Sequence, residues 1–134
     1  MPLTPDQEEN FLADPFGFHE DRGLTIKESL IGNESPDDIM MLIMETFTET
    51  ELIPEVGKYY TFTYKPKTPN LFYDQFPVIA CLEIFQWGFK GINFHWGKQR
   101  NYTWPELQGS LHTIRSEEIM SVRSLPYAQY LINN

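Results

Sequence analysis

The chain has 134 residues, 15% of them aromatic, one cysteine and a formal net charge of −9. That length allows one domain with a real core, burying roughly two thirds of its unfolded surface. The absence of any apolar run of about 18 residues excludes a membrane-spanning helix, and MPLTPDQEEN lacks the basic-then-apolar order of a secretory signal.

The charge is unevenly spread. Through Gly57 there are 14 acids against Arg22 and Lys27, a net of −12, whereas from Lys58 onward 8 bases exceed 5 acids by +3. Two readings stay open: the halves meet different surroundings, or the acids keep an exposed helical segment solvated. Wholesale nucleic-acid binding is disfavoured, because phosphate contacts need a dense basic face.

Residues Met1 to Gly23 carry three prolines and two glycines and read as an extended arm with one helical turn around Asp6 to Ala13. Phe11, Leu12, Phe16 and Phe18 are too apolar for a purely disordered tail, so the arm is expected to dock its aromatics on its own domain or a neighbour. Thr25 to Ile31 reads as a short helix closed by Gly32. The next helix has the strongest local signals. Ser35 suits the N-cap and Pro36 the first position, with Asp37 and Asp38 against the positive end of the dipole. Ile39, Leu42, Ile43 and Phe47 form the apolar stripe, and Met40, Met41 and Met44 read as core filler rather than as an adaptable surface. Pro54 and Gly57 end the helical region.

From Gly57 to Trp96 three strand-like runs are separated by turn-rich breaks. Tyr60, Phe62 and Tyr64 alternate with Tyr59, Thr61 and Thr63, as expected of a strand with one buried face. KPKTPN is a loop, followed by the aromatic LFYDQFP around a lone Asp74. Val78 to Phe85 is almost continuously apolar, reading as a strand covered on both sides or central in a small barrel, with Cys81 as a small buried hydrophobe. Trp87 and Gly88 make the turn into a third strand, in which Ile92, Phe94 and Trp96 alternate with Asn93 and His95 on a mixed outer face. After the polar GKQRN, Thr103 and Glu106 form a capping box and open a short helix from Trp104. Leu111 to Ile114 suits a fourth strand, Ser116 to Glu118 a further short helix ending before Pro126, and Ala128 to Ile132 a last strand. The layout is α+β: an acidic arm and helices (1–56) before a small Src-homology-3-like β-barrel (57–134). By itself such an analogy of layout warrants no function.

Chemistry-bearing patterns are scarce. His19, His95 and His112 have no ligand partner at i+3 or i+4, and neither HExxH, CxxC nor GxSxG spacing occurs, so neither metal, cofactor nor catalytic residues are assigned. His95 beside Trp96 reads as an exposed-face residue. Asp74 reads as a structural anchor at the start of the second strand, bonded to backbone amides or to Arg100, Arg115 or Arg123. The residues assigned to interaction are Phe11, Phe16, Phe18, Tyr73, Asp74, Trp87, Trp96, Arg100 and Trp104.

Three motifs carry a resemblance. Gly57, Tyr60, Phe62, Tyr64, Pro66, Lys67 and Thr68 make G-x-x-Y-x-F-x-Y-x-P-K-T; Tyr73, Asp74, Phe76, Pro77 and Val78 make Y-D-x-F-P-V; Gly88, Phe89, Gly91, Asn93 and His95 make G-F-x-G-x-N-x-H. Over Gly57 to Asn134 the chain resembles a family of small proteins of T-even-type tailed phages, notably those of cyanobacteria, and its first half has no counterpart there. The resemblance implies a non-enzymatic virion component in head, neck, tail or baseplate, made in the host cytoplasm. Its partners would be other virion proteins and itself as a homo-oligomer, with no membrane and nucleic acid disfavoured. Some members are labelled DNA-end protectors, so the alternative is a DNA-end-binding module in which Lys58, Lys65, Lys67, Lys90, Lys98 and Arg100 interleave with aromatic rings.

Overall fold

Local signals build the helical layer. The computed structural model describes residues 20–133; the expected arm up to His19, with Phe11, Phe16 and Phe18, lies outside them. Helix α1 (Arg22–Ser29) is capped by the Asp21 side chain, which accepts from Leu24 N. It starts three residues before the expected Thr25 and ends before Gly32, because Asp21 supplies an earlier cap. Gly23 is thus helical: an added Cβ would meet Ser121 Oγ at 2.4 Å and Val122 N at 2.8 Å. Helix α2 (Pro36–Thr46) has the expected Ser35 cap, completed by Asp38 bonding back to Ser35 N. Ile39, Ile43 and Phe47 are buried, as is Met40, whereas Met41 and Met44 are exposed. The methionine cluster is therefore core only in part, since the helix turns the last two away from the stripe.

The β region supplies an antiparallel sheet in the order β1-β7-β2-β4-β5-β6 and a separate two-stranded ribbon, β3–β8. The strands are β1 (Thr50–Glu51), β2 (Tyr59–Thr61), β3 (Leu71–Asp74), β4 (Val78–Ile84), β5 (Gly88–Asn93), β6 (Lys98–Thr103), β7 (Leu111–Ile114) and β8 (Tyr130–Asn133). Strand β4 explains its own apolar run. Val78 joins the core shared with the helices, while Ile79 and Cys81 point into a second core on the opposite face. The first core unites Ile26, Ile39, Ile43 and Phe47 with Phe76, Ile114, Val122 and Tyr127. The second holds Tyr60, Phe62, Tyr64, Phe89 and Tyr102, with Phe62 edge-on to Tyr102 at 5.2 Å, a favoured aromatic geometry.

The expected barrel is not formed: the sheet is open, with β1 and β6 as its edges. Strand β1 is only two residues long, and the edge of β6 is approached by the ribbon instead, Arg100 Nη1 donating to Phe72 O at 3.1 Å. Curling stops at one bridge, Tyr64 to Leu107. The 3₁₀ turn at Trp104–Glu106 carries the expected Thr103–Glu106 contacts. Strands β5 and β6 approach so closely at Gly88 that a Cβ there would lie 2.0 Å from Tyr102 O.

A second 3₁₀ turn (Ser116–Glu118) leads into helix α3 (Ile119–Arg123) and buries Glu118 completely. Burial opposes its charge, but the Arg22 fork (2.7 and 2.8 Å) and the amides of Arg22 and Arg115 outweigh that and hold its carboxyl below the usual range. Because the folded value is the depressed one, this contribution is complete above the ordinary carboxyl pKa of 4.5 and is lost as pH falls through the lower folded value. Glu118→Gln should cost about 3 kcal/mol at neutral pH and flatten the acid limb of stability measured by urea unfolding between neutral and strongly acidic pH; an unchanged acid limb would contradict this.

Candidate functional site

The second and third motifs meet in space at a buried polar cluster. Asp74, at the end of β3, is 1% exposed and the His95 side chain 2%. Asp74 Oδ1 accepts from Phe76 N at 3.2 Å, and Oδ2 accepts from Asn93 Nδ2 at 3.1 Å and from His95 Nδ1. Asn93 Oδ1 in turn accepts from His95 N (2.7 Å) and Trp96 N (3.3 Å), which shapes the turn into β6. The expected backbone bond to Asp74 is present, but the ring that meets it is His95 rather than an arginine fork: Arg115 is engaged with Glu117 and Glu118, Arg100 with Phe72 O, and Arg123 is exposed.

Two expectations are thereby corrected. His95 does not lie on an exposed face, and Asn93 is fully buried. Phe94, on the opposite face, packs against the helical core and sits 6.0 Å from Tyr59. Both faces of this stretch are covered, so alternation no longer separates inside from outside, and the polar residues go in because a carboxylate awaits them.

The cluster orients and locks. Burial pushes the hydroxyls of Tyr64, Tyr102 and Tyr127 far above the usual phenol range, so they stay neutral. The Tyr127 ring meets the His95 ring edge-on at 5.2 Å. An aspartate–imidazole pair resembles the orienting half of an acyl-transfer triad, but here no hydroxyl or thiol is bonded to the imidazole among the described residues. Cys81 lies in the second, aromatic core, its thiol pKa raised by burial, and His112 Nδ1 is spent on Phe47 O at 2.7 Å. Among the described residues no three His, Cys, Asp or Glu side chains are placed to hold a metal ion, and no described helix is long and apolar enough to cross a membrane.

Directly outside the cluster lies an aromatic ladder. Phe72 and Tyr130, 47% and 40% exposed, stack at 5.4 Å, and Trp96 lies 5.1 Å from the first and 5.5 Å from the second. Trp96 and Phe72 line a groove of about 280 Å³ with Leu71, Lys98, Gln99 and Arg100. The Arg100 guanidinium lies over Tyr64 at 5.4 Å and Tyr73 at 6.0 Å. Four of the assigned interaction residues, Tyr73, Asp74, Trp96 and Arg100, thus come together. Trp87 and Trp104 form a second group: Trp87 stacks on Phe85 at 4.8 Å at the hairpin tip, and Trp104 Nε1 donates to Gln86 O at 2.8 Å. Phe72 and Tyr130 escaped the sequence reading. They are diagonal neighbours across the β3–β8 ladder, a pairing readable only once the ribbon is known.

Compared with protein-family models, curated proteins and solved structures, the chain has no match.

Asp74→Ala and His95→Ala should each cost about 3 kcal/mol in chemical unfolding, and the double variant less than their sum by more than about 1 kcal/mol. Arg100→Ala should cost only about 1 kcal/mol, from a lost hydrogen bond and ring contact. Full additivity of Asp74 and His95, or a larger loss at Arg100, would show that the cluster is not coupled as described.

Proposed function

We propose that the chain is a non-enzymatic structural or assembly protein of a tailed-phage virion, in head, neck, tail or baseplate, acting through protein–protein contacts. The observation that carries the contact role is the exposed ladder of Phe72, Trp96 and Tyr130, fixed to a buried polar cluster rather than to a mobile loop. Preorganised aromatic anchors lose little entropy on docking and are the residues that dominate interface energies. The tailed-phage assignment rests on the three motifs, and two of them build the cluster beneath the ladder. For residues 57–134 the meander of β4 to β6, the 3₁₀ turn and the return of β7 onto β2 support an open Src-homology-3-like arrangement.

The test is mass spectrometry of purified particles from the phage that encodes the chain. We expect the protein at fixed stoichiometry after nuclease treatment and salt washing; its confinement to the unassembled lysate would overturn the reading.

One observation favours a DNA-associated module as the alternative: stacked rings beside Lys98 and Arg100 are the parts of a base-stacking platform. With two cations at the groove among the described residues, the electrostatic footprint is small. Titration with duplex and single-stranded DNA at low and moderate salt should give no micromolar complex with a steep negative salt slope. Such a complex would promote this alternative.

A further inference from the structure

We infer that the groove between the β3–β8 ribbon and strand β6 is the seat for the acidic, phenylalanine-bearing residues 1–19 of a second copy of the chain. The inference rests on the proposed assembly role and names one partner within it.

Complementarity is the first argument. Among the described residues the groove is lined by Leu71, Phe72, Trp96, Lys98, Gln99 and Arg100: apolar side chains with two cations and no acid. Residues 1–19 contain Asp6, Glu8, Glu9 and Asp14, neither lysine nor arginine, and Phe11, Phe16 and Phe18. Apolar anchors interleaved with charges of the opposite sign suit an interface in which burial gives affinity and the charges steer approach. Among the described residues, the pocket lined by Leu52, Ile53, Trp104, Leu107 and Gly109 has no cation to meet those acids, and the one lined by Lys65, Lys67 and three prolines carries Glu106 and no aromatic ring.

Reach selects the second copy. Arg115 binds Glu20 O, which places the first described residue beside the end of β7. The groove lies at the opposite edge, since the cross-strand row runs Thr113, Tyr60, Ile79, Asn93, Lys98. Four ladder steps span about 19 Å along the sheet. Phe18 and Phe16 lie two and four residues before Glu20, so their Cα atoms reach at most about 7 and 14 Å; with about 6 Å more for a ring, Phe18 falls short of its own groove, whereas Phe16 and Phe11 could return to it. All three phenylalanines can seat together only on another molecule. A contact of segment to groove is heterologous: it closes if two copies exchange segments and propagates into a ring or filament if they do not.

The experiment uses the full chain in sedimentation velocity up to about 0.1 mM, where mass action favours association. One variant carries Phe11→Ser, Phe16→Ser and Phe18→Ser; another carries Phe72→Ser and Lys98→Glu, both at exposed positions, with circular dichroism confirming that each is folded. The wild type should self-associate, each variant should associate at least tenfold more weakly, and an equimolar mixture of the two should regain a complex, because one supplies the segment and the other the groove. Should the groove variant prove unfolded, Asp14→Lys paired with Lys98→Glu provides the readout, the double restoring what either single loses. A monomeric wild type, variants that associate like wild type, or a mixture that regains nothing would each overturn the inference, as would a concentration-independent cross-link from Phe11 to the groove of its own chain. Presence in particles without self-association would overturn only this inference, and self-association through the groove with the chain absent from particles would overturn only the proposed function.

Discussion

A single buried carboxylate, Asp74, dictates the path of three segments. An ionised group removed from water is tolerable only when its lone pairs are met, so the surrounding chain must supply donors. Phe76 N meets it locally, in the manner of an Asx turn, and fixes the step from β3 into β4. Asn93 and His95 meet it from about twenty residues away and fix the end of β5 and the turn beyond. Phe72 lies two residues before Asp74 and Trp96 follows His95, so the geometry of the exposed ladder is inherited from the buried cluster. That is how a surface site acquires precision: its anchors stand on side chains whose own bonds leave them no freedom.

Glu118 performs the corresponding task for the helical layer. Five donors from Arg22 and Arg115 converge on it, and the Arg22 guanidinium also lies 4.4 Å over Phe47. Arg22 thereby ties α1, the start of α3 and the end of α2 into one unit against the sheet. The two acids share a logic but differ in partner. Glu118 takes a permanently charged fork, whereas Asp74 takes a neutral amide and an imidazole. The second arrangement leaves Arg100 free to cover Tyr64 and Tyr73 and to border the groove.

What was legible in the sequence was what is local. Ser35 with Pro36 and Asp38 specifies a helix start within four residues, and Thr103 with Glu106 specifies a 3₁₀ turn in the same way. Tyr60, Phe62 and Tyr64 announced a buried face through simple alternation. What was illegible depends on distant partners. Strand β6 reads only as a polar run because its inner residues are few, and it is extended because β5 pairs with it along six positions. LFYD is too short to show a period, and β8 makes it a strand. His95 looked exposed because its reason for burial, Asp74, is 21 residues away, and Arg22 meets Glu118 across 96. The barrel failed for a similar reason: strand count was visible, but not that the ribbon would take the place beside β6 that closure requires.

The sheet edges show how such a protein limits unwanted association. Strand β1 is two residues long, and β6 presents Lys98 and Arg100 with the ribbon lying against it, both recognised ways of blunting an edge. Among the described residues of the β region, large exposed apolar side chains stand at the ribbon (Phe72, Tyr130, Ile132), at the β4–β5 hairpin (Ile84, Trp87) and in the β1–β2 loop (Leu52, Ile53, Val56). Edge pairing is indifferent to side chains and would join copies in many registers, whereas a ladder of rings beside two cations accepts only a partner of matching shape and charge. The hairpin tip and the β1–β2 loop, with Trp104 close by, offer apolar contact of a different kind. On the proposed reading this division has a consequence: a chain with two chemically unlike faces can bind its own kind at one and a different neighbour at the other, which is what a component placed between dissimilar parts of a particle requires.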